Sequence, residues 1–289
     1  MTVHAHPDDE ASKGAASVAK LHAEGMKTVL VCCTGGEAGD ILNPAMESDD
    51  VRARLPEIRM EELRRSVAII GYDELVLLGY RDSGMPGTDD NLNPACFARA
   101  DHDEAVARLV AAIREHQPQV LVVYADDQSG YPHPDHLRVH EIGVAAFEAA
   151  GDPDRYPEAG EAWQPLKLYY SAWSRARTLA MHEKFIELGL ESPFDQERLD
   201  RPSQDERITT RVDISEFADV RPQALLAHRT QVDPDSPMWF GLPPDEARRL
   251  HPFDDYILAR SLVDPSPPAA DAGICEDDLF AGLRSSVRP

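Results

Sequence analysis

Gln119-Val-Leu-Val-Val-Tyr124 is apolar at every position after its glutamine. A strand with one face in water alternates polar and apolar residues; an unbroken run is covered on both faces, the condition of a parallel strand between two helical layers. Upstream, Asp101 to Glu115 carries Val106, Leu109, Val110 and Ile113 at helical spacing. The same couple of short β-branched run and helical segment recurs toward the start of the chain. Thr2–Ala5 is a short strand ahead of a helix over Ser12–Glu24, with Ala15, Val18, Ala19 and Leu21 on its apolar face. Lys27–Cys33 (KTVLVCC) precedes a helix within Asp50–Ile70, and Glu74–Leu78 (ELVLL) is a third strand. This alternation predicts an α/β protein with a doubly wound, mostly parallel, Rossmann-type sheet over residues 1–150. Residues 151–263 read as a smaller α+β lobe that completes the same domain: a strand over Leu166–Trp173, a helix near Arg175–Leu188, and a strand over Arg207–Ile214. The stretch 233–253 (DPDSPMWFGLPPDEARRLHPF) reads as an irregular loop folded over the site, and 264–289 as a partly ordered tail.

The chain has 289 residues, enough to bury a substantial core. Its 29 Lys+Arg stand against 52 Asp+Glu, a formal charge of −23 that repels phosphate backbones and anionic membrane surfaces. Nucleic acid and membrane are therefore excluded as expected partners, and a small-molecule substrate is favoured. Cys32, Cys33, Cys96 and Cys275 form no CxxC pair, which speaks for a reducing cytoplasm and against a thiolate zinc site. Neither a basic leader nor an apolar run of about 20 residues is legible. The expectation is a soluble cytoplasmic protein.

In a doubly wound sheet ligands sit beyond the carboxyl ends of the strands, so the loops after Ala5, Cys33, Leu78 and Tyr124 converge on one rim. The first reads His6-Pro7-Asp8-Asp9-Glu10. An imidazole and a carboxylate three residues apart can reach one ion from a tight turn; Pro7 stiffens that turn and Asp8 is left free beside the ion. The competing reading is an Asp that caps the next helix. The last loop reads Tyr131-Pro-His133-Pro-Asp135-His136. Two His/Asp knots at neighbouring strand ends favour a shared ion over coincidence, with His6, Asp9 and His136 as ligands. Two nitrogens and one carboxylate suit one catalytic Zn²⁺ per chain, though Fe²⁺ or Co²⁺ fits the same set. Asp8 is then placed to act as base, and His133 oriented by Asp135 to act as a protonated acid or oxyanion stabiliser. A non-catalytic zinc module is the rival, but such sites are usually closed by four protein ligands.

HPDDE after the first strand and HPDH after a later one resemble the LmbE-like (PIG-L) zinc de-N-acetylase family. Arg59-Met-Glu-Glu62-Leu63, Ile70-Gly71, Arg81-Asp82-Ser83-Gly84-Met85 and Ala227-His228-Arg-Thr-Gln231 are similar to it as well, so the resemblance covers most of residues 1–261. It implies zinc on His6, Asp9 and His136, Asp8 as base, His133 as acid or oxyanion stabiliser, and Tyr131 as a mobile contact to the oxyanion. It also implies Arg59 and Asp82 on sugar and inositol hydroxyls. From the residues alone, Arg59 reads equally as a helix-surface partner of Glu62, and Asp82 as a cap or turn residue. Ala11 to Gly14, Gly35 to Pro44 and Asn93 to Phe97 resemble the amidase branch acting on mycothiol S-conjugates more than the branch that deacetylates N-acetylglucosaminyl inositol, which stays as the alternative. In that branch Lys13 would meet the cysteinyl arm, unless it is a solvated helix lysine. Trp239 and Phe240 would wall the variable sulfur-linked group, unless they are core.

Overall fold

The computed structural model describes residues 1–128, 130–263 and 276–284. Seven strands form one sheet: β1 (Thr2–His4), β2 (Val29–Thr34), β3 (Glu74–Tyr80), β4 (Val120–Tyr124), β5 (Lys167–Ala172), β6 (Thr210–Asp213) and β7 (Phe253–Ser261). Their order is β3-β2-β1-β4-β5-β7-β6. The first five are parallel, and β7 runs antiparallel to both β5 and β6. Strand order reverses between β1 and β4, and there a doubly wound sheet opens its crevice.

The central strands are covered as their sequences require. β1 and β4 are buried at every position. On one face the helices His102–His116 and Pro134–Ala149 set Val106, Leu109, Ile113, Val139 and Ile142 against Val31, Leu121 and Val123. On the other, Val18, Leu63 and Leu225 from the helices Ala15–Ala23, Leu55–Ile70 and Val220–Ala227 pack against Leu30 and Cys32. Each such aliphatic side chain contributes about 1.5–3 kcal/mol of burial, so the rim between β1 and β4 rests on a stiff support.

Several boundaries differ from the sequence reading. The helix expected over Ser12–Glu24 is two, Asp9–Ser12 and Ala15–Ala23, broken at Gly14. Gly14 has φ +79, and a Cβ there would lie 2.7 Å from the Tyr256 hydroxyl, so only glycine fits. The break lets Asp9 and Lys13 face the rim while the longer helix packs on the sheet. The helix within Asp50–Ile70 is likewise split into Asp49–Ala53 and Leu55–Ile70. The expected strand Arg207–Ile214 shortens to β6 because residues 205–207 form a 3-10 turn. Residues 233–253 hold two short helices, Pro237–Phe240 and Pro244–Leu250.

β7 was not expected at all. Its Asp254 and Asp255 are buried on a strand and break the apolar pattern by which strands are read. Arg221 bonds Asp254, while Arg211 and His251 bond Asp255 at 2.7 and 3.0 Å. Burial alone would raise both carboxyls; these cations hold Asp254 below the usual range and Asp255 at about 2. In the expected tail, residues 276–284 pack back onto β5 and β6 through Glu276, Leu279 and Leu283. Residues 264–275, with Cys275, and 285–289 lie outside the described residues. Cys32, Cys33 and Cys96 are free and buried, and no helix among the described residues is long and apolar enough to cross a membrane.

Candidate metal centre

His6 and Asp9 follow β1, and His133 and His136 follow β4, so the crossing of strand order delivers both knots to one place. The ligating atoms of His6, Asp9 and His136 lie within 4.8 Å of one another, and all three residues are buried. His6 Nδ1 and His136 Nε2 stand 3.4 and 3.3 Å from Asp9 Oδ2. Burial opposes the Asp9 charge, but Lys13 and His136 hold its carboxyl well below the usual range.

The remote nitrogen of His6 is also fixed, since Nε2 donates to Asp135 Oδ2 at 3.1 Å. Asp135 in turn accepts the Ser83 N–H at 2.9 Å and the Ser83 hydroxyl. A histidine with one nitrogen toward a carboxylate cluster and the other on a buried carboxylate is the usual environment of a metal ligand, because the outer partner sets tautomer and orientation. The donor set therefore fits a borderline divalent cation such as zinc. Substituting Asp135→Asn should weaken zinc binding about 10–100-fold with the three donors still in place; competition with a chromophoric chelator measures this, and an unchanged affinity would sink the assignment.

This geometry corrects the pairing expected for His133. The Asp135 carboxylate serves His6; His133 Nδ1 instead accepts the Asp135 backbone N–H at 3.2 Å. Burial and nearby His6 push His133 down to about 4, so at pH 7 the ring is neutral rather than protonated. With Nδ1 accepting, the proton sits on Nε2, and His133 can still donate one hydrogen bond toward the rim.

Asp8 has φ 111, in the left-handed region that costs a side-chain-bearing residue about 1–3 kcal/mol. What holds it there is a buried frame. Glu10 Oε2 accepts the Asp8 N–H at 2.9 Å, and Arg59 Nη2 donates to Pro7 O at 2.5 Å and to Asp8 Oδ2 at 3.0 Å. Glu10 itself takes the Ser66 hydroxyl at 2.5 Å and His228 Nε2 at 2.6 Å. Burial raises the Asp8 carboxyl despite the pull of Arg59, which is the direction a proton acceptor near neutrality needs.

The remaining expected residues divide. Arg59 is 2 % exposed and Glu62 is bonded to Thr230, so Arg59 is no helix-surface partner of Glu62. Asp82 is buried with Oδ1 3.4 Å from His6 Nε2, and the same oxygen accepts the Gly84 N–H, so its turn reading holds beside its place at the cluster. His6, Asp82 and His133 form a second convergent trio on the other side of the His6 ring. Lys13 is engaged at its tip: Nζ donates to Asp9 Oδ1 and lies 5.4 Å from the Tyr124 ring centre. Tyr131 is exposed, its ring 5.3 Å from that of His136.

Glu10, Ser66, His228, Ser83 and Tyr124 were assigned no role from sequence. Glu10 and His228 lie in the motifs quoted above, but their partners are 218 residues apart in the chain. Tyr124, whose hydroxyl accepts the Ala5 N–H at 2.9 Å, reads as plain strand core.

Fold and site define the class: a hydrolase built on a doubly wound α/β sheet, with a His–Asp–His cluster where strand order reverses. The family description GlcNAc-PI de-N-acetylase (PIG-L) matches residues 1–147. The chain belongs to this family. It is 44% identical to a mycothiol S-conjugate amidase of Streptomyces coelicolor over 99% of this chain and 98% of that one. It is 39% identical to a 1D-myo-inositol 2-acetamido-2-deoxy-alpha-D-glucopyranoside deacetylase of Frankia alni over 97% and 99%. The fold is shared with N,N'-diacetylchitobiose deacetylase from Pyrococcus horikoshii at a TM-score of 0.61 and 16% identity, covering 89% of this chain and 82% of that one.

Proposed function

We propose that the protein is a zinc-dependent amidase that hydrolyses mycothiol S-conjugates. The cleaved bond joins the cysteinyl carbonyl to the glucosamine nitrogen, and the products are a mercapturic acid and glucosaminyl inositol, a detoxification reaction of the cytoplasm. The observation that carries this reading is likeness to an amidase over essentially the whole of both chains. The site supports it, because His6, Asp9 and His136 would hold Zn²⁺ and leave Asp8 unligated.

Zinc bound there would supply Lewis acidity toward the scissile carbonyl and toward water. The residues of the chain do the rest. Asp8 Oδ1 or Oδ2 takes the proton of the attacking water, and the same carboxyl returns it to the glucosamine nitrogen as the C–N bond breaks. Arg59 and Glu10 hold Asp8 in place for both transfers. His133, through Nε2–H, donates to the tetrahedral oxyanion, and Tyr131 adds a second contact from the exposed side. Asp82 and Lys13 border the cluster, where hydroxyls of the sugar and the cysteinyl arm would lie.

The alternative is deacetylation of N-acetylglucosaminyl inositol by the same machinery, favoured by the full-length likeness to the inositol-sugar deacetylases. Release of free amine from a bimane S-conjugate of mycothiol and from N-acetylglucosaminyl inositol, with metal-free and zinc-loaded protein, separates the two. The expected result is zinc-dependent cleavage with preference for the conjugate. Preference for the acetyl sugar would make it a deacetylase, and metal-independent turnover would remove the zinc.

A further inference from the structure

A cavity of about 180 Å³ lies between the helices Arg175–Glu187, Val220–Ala227, Pro237–Phe240 and Pro244–Leu250. Trp173, Met181, Leu225, Trp239 and Phe240 form its apolar wall. Trp173 and Trp239 meet edge to face, with centres 6.0 Å apart. The volume suits one aromatic ring, since a cavity of about 150 Å³ holds benzene.

One cation in this wall has no salt-bridge partner among the described residues. Arg177 lies 4.2 Å over the Trp173 ring, and its guanidinium makes no ion pair with any described residue. The neighbouring charges engage one another. Arg221 bonds Asp254, Arg211 bonds Asp255 at 2.7 Å, and Arg248 bonds Asp219 at 2.6 and 2.8 Å and Asp245 at 3.2 Å. His251 shares Asp255 at 3.0 Å. Arg177 lines the cavity beside the Asp254 and Asp255 carboxylates, which Arg221, Arg211 and His251 already engage. Burial, then Arg221, pushes Arg177 down to about 9 against the opposing pull of Asp254 and Asp255, so it is still charged at pH 7.

The cavity lies at the same edge of the sheet as the metal centre, past the carboxyl end of β5. Trp173 follows β5, whose Ser171 pairs with Tyr124 of β4, and the Tyr124 ring lies 4.5 Å from that of His136. Leu225, Trp239 and Phe240 belong to one apolar cluster with Ala11, two residues past Asp9. Two strand spacings, about 10 Å, separate the β1–β4 seam from the β5–β7 seam beneath Trp173. That lateral offset is of the order a short thioether arm extending from a carbonyl at His6 and His136 would cover.

We infer that this cavity receives the sulfur-linked group of the conjugate and that Arg177 selects adducts carrying a carboxylate on an aromatic ring. The inference rests on the amidase reading and adds the class of adduct to it. The guanidinium offers its planar fork to the carboxylate while the tryptophans take the ring.

The test measures kcat/KM for amine release from three mycothiol conjugates, S-benzyl, S-(4-carboxybenzyl) and S-(4-carbamoylbenzyl), with the zinc-loaded protein and with Arg177→Gln. The two para-substituted adducts match in shape and differ in charge. The native protein should favour carboxybenzyl over carbamoylbenzyl about 10–100-fold, through KM, and Arg177→Gln should bring that ratio close to one. The native ratio decides the matter even if the variant does not fold. Cleavage of all three conjugates with no charge preference, or a preference that survives Arg177→Gln, would overturn the cavity assignment and leave the amidase standing; cleavage of none would overturn both.

Discussion

The Asp8→Asn protein is expected to lose about 10²–10⁴-fold in kcat while keeping its zinc, its fold and nearly its KM. Asparagine is the informative substitution because of the backbone. Asp8 sits at φ 111, a region that Asn tolerates better than Ala, so the turn survives and only the proton acceptor is removed. The asparagine oxygen can still accept from Arg59 Nη2, and the Asp8 N–H bond to Glu10 is untouched. Turnover is measured beside metal content by atomic absorption. A fall in zinc that parallels the fall in kcat would make Asp8 a ligand, and activity within a few-fold of native would dismiss it as the base.

The second large effect is on stability. Lys167 is completely buried, and its ammonium donates to Glu276 Oε1 at 2.6 Å and to Ala281 O at 3.0 Å. Glu276 Oε2 takes the Tyr169 hydroxyl at 2.5 Å and the Thr210 hydroxyl at 2.9 Å. Glu276→Ala strands a buried ammonium and should cost about 3–5 kcal/mol, whereas replacing both charges, Lys167→Met with Glu276→Leu, should recover most of it. Denaturant unfolding of the zinc-loaded proteins gives both numbers. Lys167 opens β5, at the end of the sheet opposite the metal centre, so turnover below the unfolding transition should be nearly native. An equal loss in the single and double variants would show that the ion pair is not what docks residues 276–284.

These two sites also mark how far the sequence could be read. That His6, Asp9 and His136 converge beside Asp8 was legible, because the motifs are local: HPDDE and HPDH are short, follow apolar strands, and fall where a doubly wound sheet must place its ligands. The frame behind it was not. Glu10, Ser66 and His228 join three segments, and spacing along the chain carries no trace of such a contact. The partner of Asp135 was misassigned for the same reason: His133 is two residues away, but the helix that starts at Pro134 turns the carboxylate toward His6. β7 was missed because strand reading relies on apolar alternation, and Asp254 and Asp255 are buried only by virtue of arginines supplied from elsewhere. Lys167 and Glu276 were assigned no role from sequence, since neither has a local pattern that announces its partner.

The placement of β7 bears on how the chain is made. The donors His6, Asp9 and His136, and the Asp135 that orients His6, all lie before Ala149, whereas Leu225 over β2 and His228 behind Asp8 come from the second half. β7 is last among the strands in sequence yet lies between β5 and β6 in the sheet. Until about residue 261 has left the exit tunnel, β5 therefore presents an open edge ready to pair with any passing strand. A nascent chain arrested before these segments emerge would carry the three metal donors on a half-built sheet, with a long-range closure still to make. Synthesis slowed after Ala172 should favour aggregation, and synthesis slowed after Ser261 should not.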